Sequence, residues 1–117
     1  MLKLSSVMIG TEQPKALIEF YEKVLGKKPD MVEGEWAGWA IGEGFLTIGG
    51  HSEVKGKSQE PQRVLFNFET KEVQEEFDRM KAAGAVVIKE PYAMGPGMIA
   101  TLADLDGNYF QLMTPWE

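Results

Sequence analysis

Apolar positions first cluster in a short block, Val7-Met8-Ile9, closed by Gly10, and this predicts a strand. Leu17, Phe20, Tyr21, Val24 and Leu25 then recur at helical spacing. Thr11 and Pro14 precede them as a predicted capping residue and a first-turn proline, whose missing N–H had no partner there anyway. Gly26 predicts the helix stop, with Lys23, Lys27 and Lys28 near the negative end of the helix dipole. From Met31 to Gly50, glycines at 34, 38, 42 and 44 separate the apolar pieces Trp36 to Ile41 and Phe45 to Ile48. That pattern predicts short antiparallel strands on tight turns. Residues 51–61 are polar, contain Gly and Pro, and predict a linker.

The same order then returns. A strand is predicted over Arg63 to Phe68, with Val64, Phe66 and Phe68 on one face and Arg63, Leu65 and Asn67 on the other. Thr70 is the predicted cap of a helix carrying Val73, Phe77 and Met80, and Gly84 ends it. Strands are predicted over Ala85 to Ile88, Met98 to Ala103 and Tyr109 to Thr114. A loop is predicted over Pro91 to Gly97 and a turn over Asp104 to Asn108. Val7 matches Val64, Phe20 matches Phe77, Gly26 matches Gly84, and Leu46-Thr47-Ile48 matches Phe110-Gln111-Leu112. The expectation is one α+β domain over 1–117, built of two βαβββ modules at about 1–55 and 61–117.

Length supports this, since 117 residues suit one domain. The absence of cysteine rules out a disulfide framework, a thiolate metal site and a cysteine nucleophile. A formal charge of −6, with no basic patch, argues against nucleic acid and anionic membranes as partners. No apolar run approaches the ~20 residues of a membrane span, and the first residues lack a signal-peptide core. A soluble, cytoplasmic protein is expected.

Ala16 to Gly26 (Ala-Leu-Ile-Glu-Phe-Tyr-Glu-Lys-Val-Leu-Gly) and Asp104 to Leu112 (Asp-Leu-Asp-Gly-Asn-Tyr-Phe-Gln-Leu), together with the repeat, resemble the vicinal oxygen chelate superfamily. That group includes glyoxalase I, extradiol dioxygenases, and fosfomycin- and bleomycin-resistance proteins. The resemblance covers essentially the whole chain. It implies a curled eight-stranded sheet around a cavity, from two modules of one chain or of two swapped chains. In the family's enzymes, histidine or glutamate on the first and last strand of each module holds a divalent metal. Carried over by position, those sites fall at Ser6, Thr47, Arg63 and Gln111. Neither imidazole nor carboxylate is present there, so no metal and no cofactor are expected.

Met8, Leu65 and Met113 share strand parity with those four positions and are expected to line the cavity. Trp36 and Trp39 have opposite parity, so at most one faces it; Trp39 is the one assigned to the ligand. Tyr92, Met94 and Met98 are expected beside a flexible Gly95-Pro96-Gly97 loop at the cavity mouth. His51, between Gly50 and Ser52, reads as a solvated loop residue. The carboxylates Glu69, Glu72, Glu75, Glu76 and Asp78 alternate with Lys71, Arg79 and Lys81 and read as a solvated helix face. The leading expectation is a metal-free protein, resembling bleomycin-resistance proteins, that sequesters an apolar or aromatic small molecule and forms a homodimer, with Ser6, Thr47, Arg63 and Gln111 as the polar anchors that bind the ligand. Arg63 in the pocket would favour an anionic or carbonyl-bearing ligand, whereas the acidic net charge favours a cation at long range. A glyoxalase- or dioxygenase-like lyase or isomerase with an unconventional site, using Arg63 as an electrophile in place of a metal, is the alternative. A module with a packed cavity, acting as a regulatory or assembly partner, is the third reading.

Overall fold

The protein, described as a computed structural model, is defined over residues 1–115; Trp116 and Glu117, at the end of the expected 1–117 domain, lie outside the described residues. The chain divides into two compact units, Met1–Gly56 and Lys57–Glu117. The first contains β1 (Val7–Thr11), α1 (Pro14–Leu25), β2 (Met31–Glu33), β3 (Trp36–Ile41) and β4 (Gly44–Gly50). The second contains β5 (Phe66–Glu69), α2 (Val73–Ala82), β6 (Val86–Met94), β7 (Gly97–Ala103) and β8 (Tyr109–Met113). Both units are βαβββ, as the repeat predicts. The strands form two four-stranded mixed sheets, β1-β4-β3-β2 and β5-β8-β7-β6, one per module, eight strands in the α+β arrangement expected, with neither sheet closed on itself. In each, the first strand pairs parallel with the last and the remaining pairs are antiparallel.

Register decides which side chains lie together. Across the first sheet Val7, Leu46 and Trp39 form one row and Ile9, Ile48 and Ala37 the next. Ile9, Ala37, Trp39, Leu46 and Ile48 of these rows are buried together with α1 residues Leu17, Phe20, Tyr21 and Val24, and Val7 is half-buried at the edge. Phe20 and Tyr21 meet edge to face, with centroids 5.2 Å apart. In the second unit Phe66, Phe68, Ala100, Leu102, Phe110 and Leu112 share the face that α2 covers with Val73, Phe77 and Met80. Leu17–Tyr21–Val24 and Val73–Phe77–Met80 have identical spacing, so Phe77 answers to Tyr21, not to Phe20.

Four local expectations change. Thr11 and Thr70 are not the N-cap residues, which are Gln13 and Glu72. Each threonine sits two residues earlier, where its hydroxyl accepts from the N–H of Gln13 or Glu72 (3.0 and 3.1 Å) and turns the chain into the helix. Gly26 ends α1 with φ of 74°, as expected, whereas α2 is capped by Ala83 before Gly84 takes φ of 111°. The strand expected to begin at Arg63 begins at Phe66, because Arg63 belongs to a turn closed by its N–H to the Glu60 carbonyl, 3.0 Å. The loop expected over Pro91 to Gly97 is mostly strand: β6 continues to Met94, and a two-residue turn at Gly95-Pro96 leads into β7. Pro91 is tolerated because β6 is an edge strand and its register slips between Lys89 and Tyr92, where no ladder N–H is required.

Asp30 anchors the start of the β2–β3 hairpin. Its carboxylate accepts from the Ala40 N–H at 2.7 Å and lies 3.1 Å from Lys27 Nζ. The backbone hydrogen bond, then the lysine, hold the Asp30 carboxyl below the usual carboxylate range. A depressed folded pKa adds stability above the unfolded pKa and loses it as pH falls through the folded value. Wild type is therefore expected to be more stable than Asp30→Asn at pH 7. That gap should close as the pH falls below the ordinary carboxylate value of 3.8 and on through the lower folded value, where the Asp30 carboxylate protonates. Melting curves of the two proteins between pH 2 and 7 check this; a gap that persists at the acid end would contradict the assignment.

Candidate binding face

The open side of the first sheet carries an apolar layer that the strand register assembles. Met8, Thr47, Gly38 and Met31 form one row, and Gly10, Gly49, Trp36 and Glu33 the next. Glycine at 38 and 49 leaves the backbone bare, and large side chains lie across it. A Cβ on Gly49 would sit 3.0 Å from the Met8 methyl and 3.1 Å from Trp36 Cδ1. A Cβ on Gly38 would sit 2.6 Å from Phe45 Cε2 and 3.2 Å from Trp36 Cη2. The indole thus spans both glycines, with Met8 at one end and Phe45 at the other. Met8 is 52% exposed, Trp36 and Phe45 are half-buried, and Thr47 is buried beneath them. The Thr47 hydroxyl donates to the Val7 carbonyl at 3.4 Å.

Trp39 is not part of this layer, which corrects its assignment to the ligand. It is 0% exposed on the helix side of the sheet, and its indole N–H donates to the Lys27 carbonyl at 3.0 Å. Trp36 faces the open side instead, and Phe45 and the bare glycines join it. Strand alternation from Thr47 reaches Phe45 and Gly49, so this part of the layer had a sequence signal. The choice between the tryptophans did not, since it depends on which one meets α1.

In the second unit, the side opposite α2 is more polar. Gln111 stands between Asn67 and Thr101, and its side-chain amide donates to the Thr101 hydroxyl at 3.1 Å. Met113 lies two residues along the same strand, half-buried beside Ile99. Tyr92 and Met94 are exposed on edge strand β6, not on a loop, and the Lys89 ammonium sits 5.3 Å from the Tyr92 ring centre. Leu65 is half-buried just before β5, and Ser6 is exposed just before β1 with its hydroxyl 3.4 Å from that of Ser5. Aligning β4 with β8 pairs Val7 with Phe66, so Ser6 answers to Leu65 and not to Arg63.

Arg63 is farthest from its expected role. Its guanidinium pairs with Glu60 at 2.6 Å, and the two side chains are 72% and 67% exposed. An exposed pair at this spacing is worth only about 0–1 kcal/mol. Arg63→Met is therefore expected to shift stability by less than about 1 kcal/mol and to leave ligand affinity unchanged. Thermal melts and a binding titration on this variant check both; a severalfold loss of affinity would return Arg63 to the site.

A metal of the resembled superfamily does not fit these side chains. Ser6, Thr47, Leu65 or Arg63, and Gln111 offer hydroxyl, alkyl or guanidinium, and amide groups, without imidazole or carboxylate. Among the described residues, no three His, Cys, Asp or Glu side chains are grouped to hold a metal ion. A surface hollow of about 330 Å³ lies elsewhere, over the first turn of α1, lined by Gln13, Pro14, Lys15, Ala16, Glu19 and Glu35. No helix among the described residues is long and apolar enough to cross a membrane.

The Glyoxalase-like domain family matches residues 6–113, and the chain belongs to that family. No curated protein matches it. Solved structures agree on the fold. A glyoxalase/bleomycin resistance protein/dioxygenase family enzyme from Burkholderia phytofirmans PsJN is 28% identical, with a TM-score of 0.77 over 97% of this chain and 98% of that one. A glyoxalase-related enzyme from Fulvimarina pelagi is 17% identical, with a TM-score of 0.81 over 98% and 89% of the two chains. A glyoxalase/bleomycin resistance protein from Albidiferax ferrireducens T118 is 20% identical, with a TM-score of 0.76 over 96% and 98%.

Proposed function

We propose that this protein binds an apolar or aromatic small molecule without a metal, and that the open face of the Met1–Gly56 unit is where the ligand stacks. The observation that carries this reading is the layer of Trp36, Met8 and Phe45 lying over Gly38 and Gly49. Rigid aromatic area with an adaptable thioether at its edge suits flat apolar ligands. Folding alone does not require it, since the core of this unit lies on the other side of the sheet.

Covering an indole face contributes roughly 1.5–3 kcal/mol, or about ten- to a hundredfold in affinity. Trp36→Ala should accordingly weaken binding of a flat heteroaromatic probe such as quinoline by at least about tenfold. Its circular dichroism should remain that of wild type. Equilibrium dialysis with quinoline measures the effect, and equal affinity in the two proteins would sink the reading. The lyase or isomerase alternative depended on Arg63 as an electrophile, and the Glu60 pair weakens that role. The proposed protein is cytoplasmic, does not bind nucleic acid, and forms a homodimer. Light scattering should then give twice the 13.0 kDa chain mass.

A further inference from the structure

We propose that the open face of the Met1–Gly56 unit selects planar aromatic cations over neutral and anionic molecules of the same shape, with Glu33 as the discriminating charge. This rests on the reading of that face as a binding surface and adds the charge of its ligand.

Glu33 is directly opposite Trp36 in the antiparallel β2–β3 pair. Directly opposed residues point to the same side of a sheet, with Cβ atoms about 4.5–5.5 Å apart. The Glu33 side chain therefore leaves the sheet on the same side as the indole, as its cross-strand neighbour. Among the described strand positions on this face, the others are apolar residues, glycines and Thr47, so Glu33 supplies the formal charge. It is exposed and forms no ion pair among the described residues.

Three further features point the same way. The face of an indole carries negative quadrupole density and attracts cations. The guanidinium expected to attract an anion is instead paired with Glu60 in solvent. A net charge of −6 adds long-range attraction for cations.

Three probes of one shape test this at neutral pH and low salt: N-methylquinolinium, quinoline and quinoline-2-carboxylate. Equilibrium dialysis gives affinities. The indole N–H resonance of Trp36, assigned by its loss in Trp36→Phe, gives the site. N-methylquinolinium is expected to bind about fivefold more tightly than quinoline, and the carboxylate more weakly than either. In Glu33→Gln the ratio of cation to neutral affinity should fall to about one, with quinoline unchanged. Added salt should weaken the cation alone.

If quinoline and N-methylquinolinium bind equally and both move the Trp36 resonance, charge selection is overturned while the binding face stands. If no probe moves that resonance, the binding face is overturned as well. A dimer that Trp36→Ala dissociates, with no probe bound, would assign the face to a second copy of the chain and overturn both.

Discussion

Trp39→Ala is expected to lower stability by about 3–5 kcal/mol, the cost of deleting a large buried aromatic. Its side chain is 0% exposed, in a row with Leu46 and Val7 beneath α1. The cavity would open where helix and sheet meet. The substitution would also remove the hydrogen bond to the Lys27 carbonyl, just past the helix stop at Gly26. Net stabilities are about 5–15 kcal/mol, so the first unit would be near its limit. Trp39→Phe keeps most of the volume and loses the hydrogen bond, and should cost distinctly less. Urea unfolding of both variants measures this. A loss below about 1 kcal/mol for Trp39→Ala would mean that the residue is not the core anchor described. The contrast with Trp36 matters most: one tryptophan should govern stability and the other binding.

Asp104→Ala should cost about 2–3 kcal/mol, the range for losing hydrogen bonds to a charged, buried acceptor. Asp104 is 2% exposed at the β7–β8 turn. Its carboxylate accepts from the N–H groups of Asp106 and Asn108, both at 2.9 Å, and from the Asn108 side-chain amide at 3.0 Å. Alanine would leave these donors facing a space that water enters poorly. The turn also sets the register of β8, which is hydrogen-bonded to both β5 and β7. Asp104→Asn retains one acceptor oxygen and should fall between the two. Urea unfolding gives the energies. Hydrogen exchange of the β8 amides tests the mechanism, because faster exchange there is the local result of a loosened turn. Unchanged protection of Phe110 and Leu112 would contradict it.

The βαβββ order was readable because each element has a local signature. Leu17, Phe20, Tyr21 and Val24 recur at helical spacing, and Gly26 stops the helix with a positive φ that costs glycine little. Asp104-Leu105-Asp106-Gly107-Asn108 announces its turn, and Gly107 takes φ of 78° there. Where the reading failed, the deciding partner was distant. Pro91 reads as a loop until β7 supplies one neighbour and the edge position removes the need for another. Arg63 reads as strand by alternation with Leu65 and Asn67, until the Glu60 carbonyl and carboxylate draw it into a turn.

For the candidate site the division is sharper. The sequence by itself determined the two modules, the pairing of Leu46-Thr47-Ile48 with Phe110-Gln111-Leu112, and the absence of histidine and carboxylate from the positions inherited from the superfamily. Those follow from residue identity and short-range periodicity. The tertiary structure alone decided which tryptophan joins the core, since parity says only that Trp36 and Trp39 oppose each other. Packing of α1 on the Trp39 side, with the Lys27 carbonyl there to take its N–H, left Trp36 over the bare backbone of Gly38 and Gly49. Register likewise set Glu33 beside that indole and Leu65, not Arg63, opposite Ser6 in the repeat. A strand's alternation carries two possible faces, and only what packs against one of them breaks the tie.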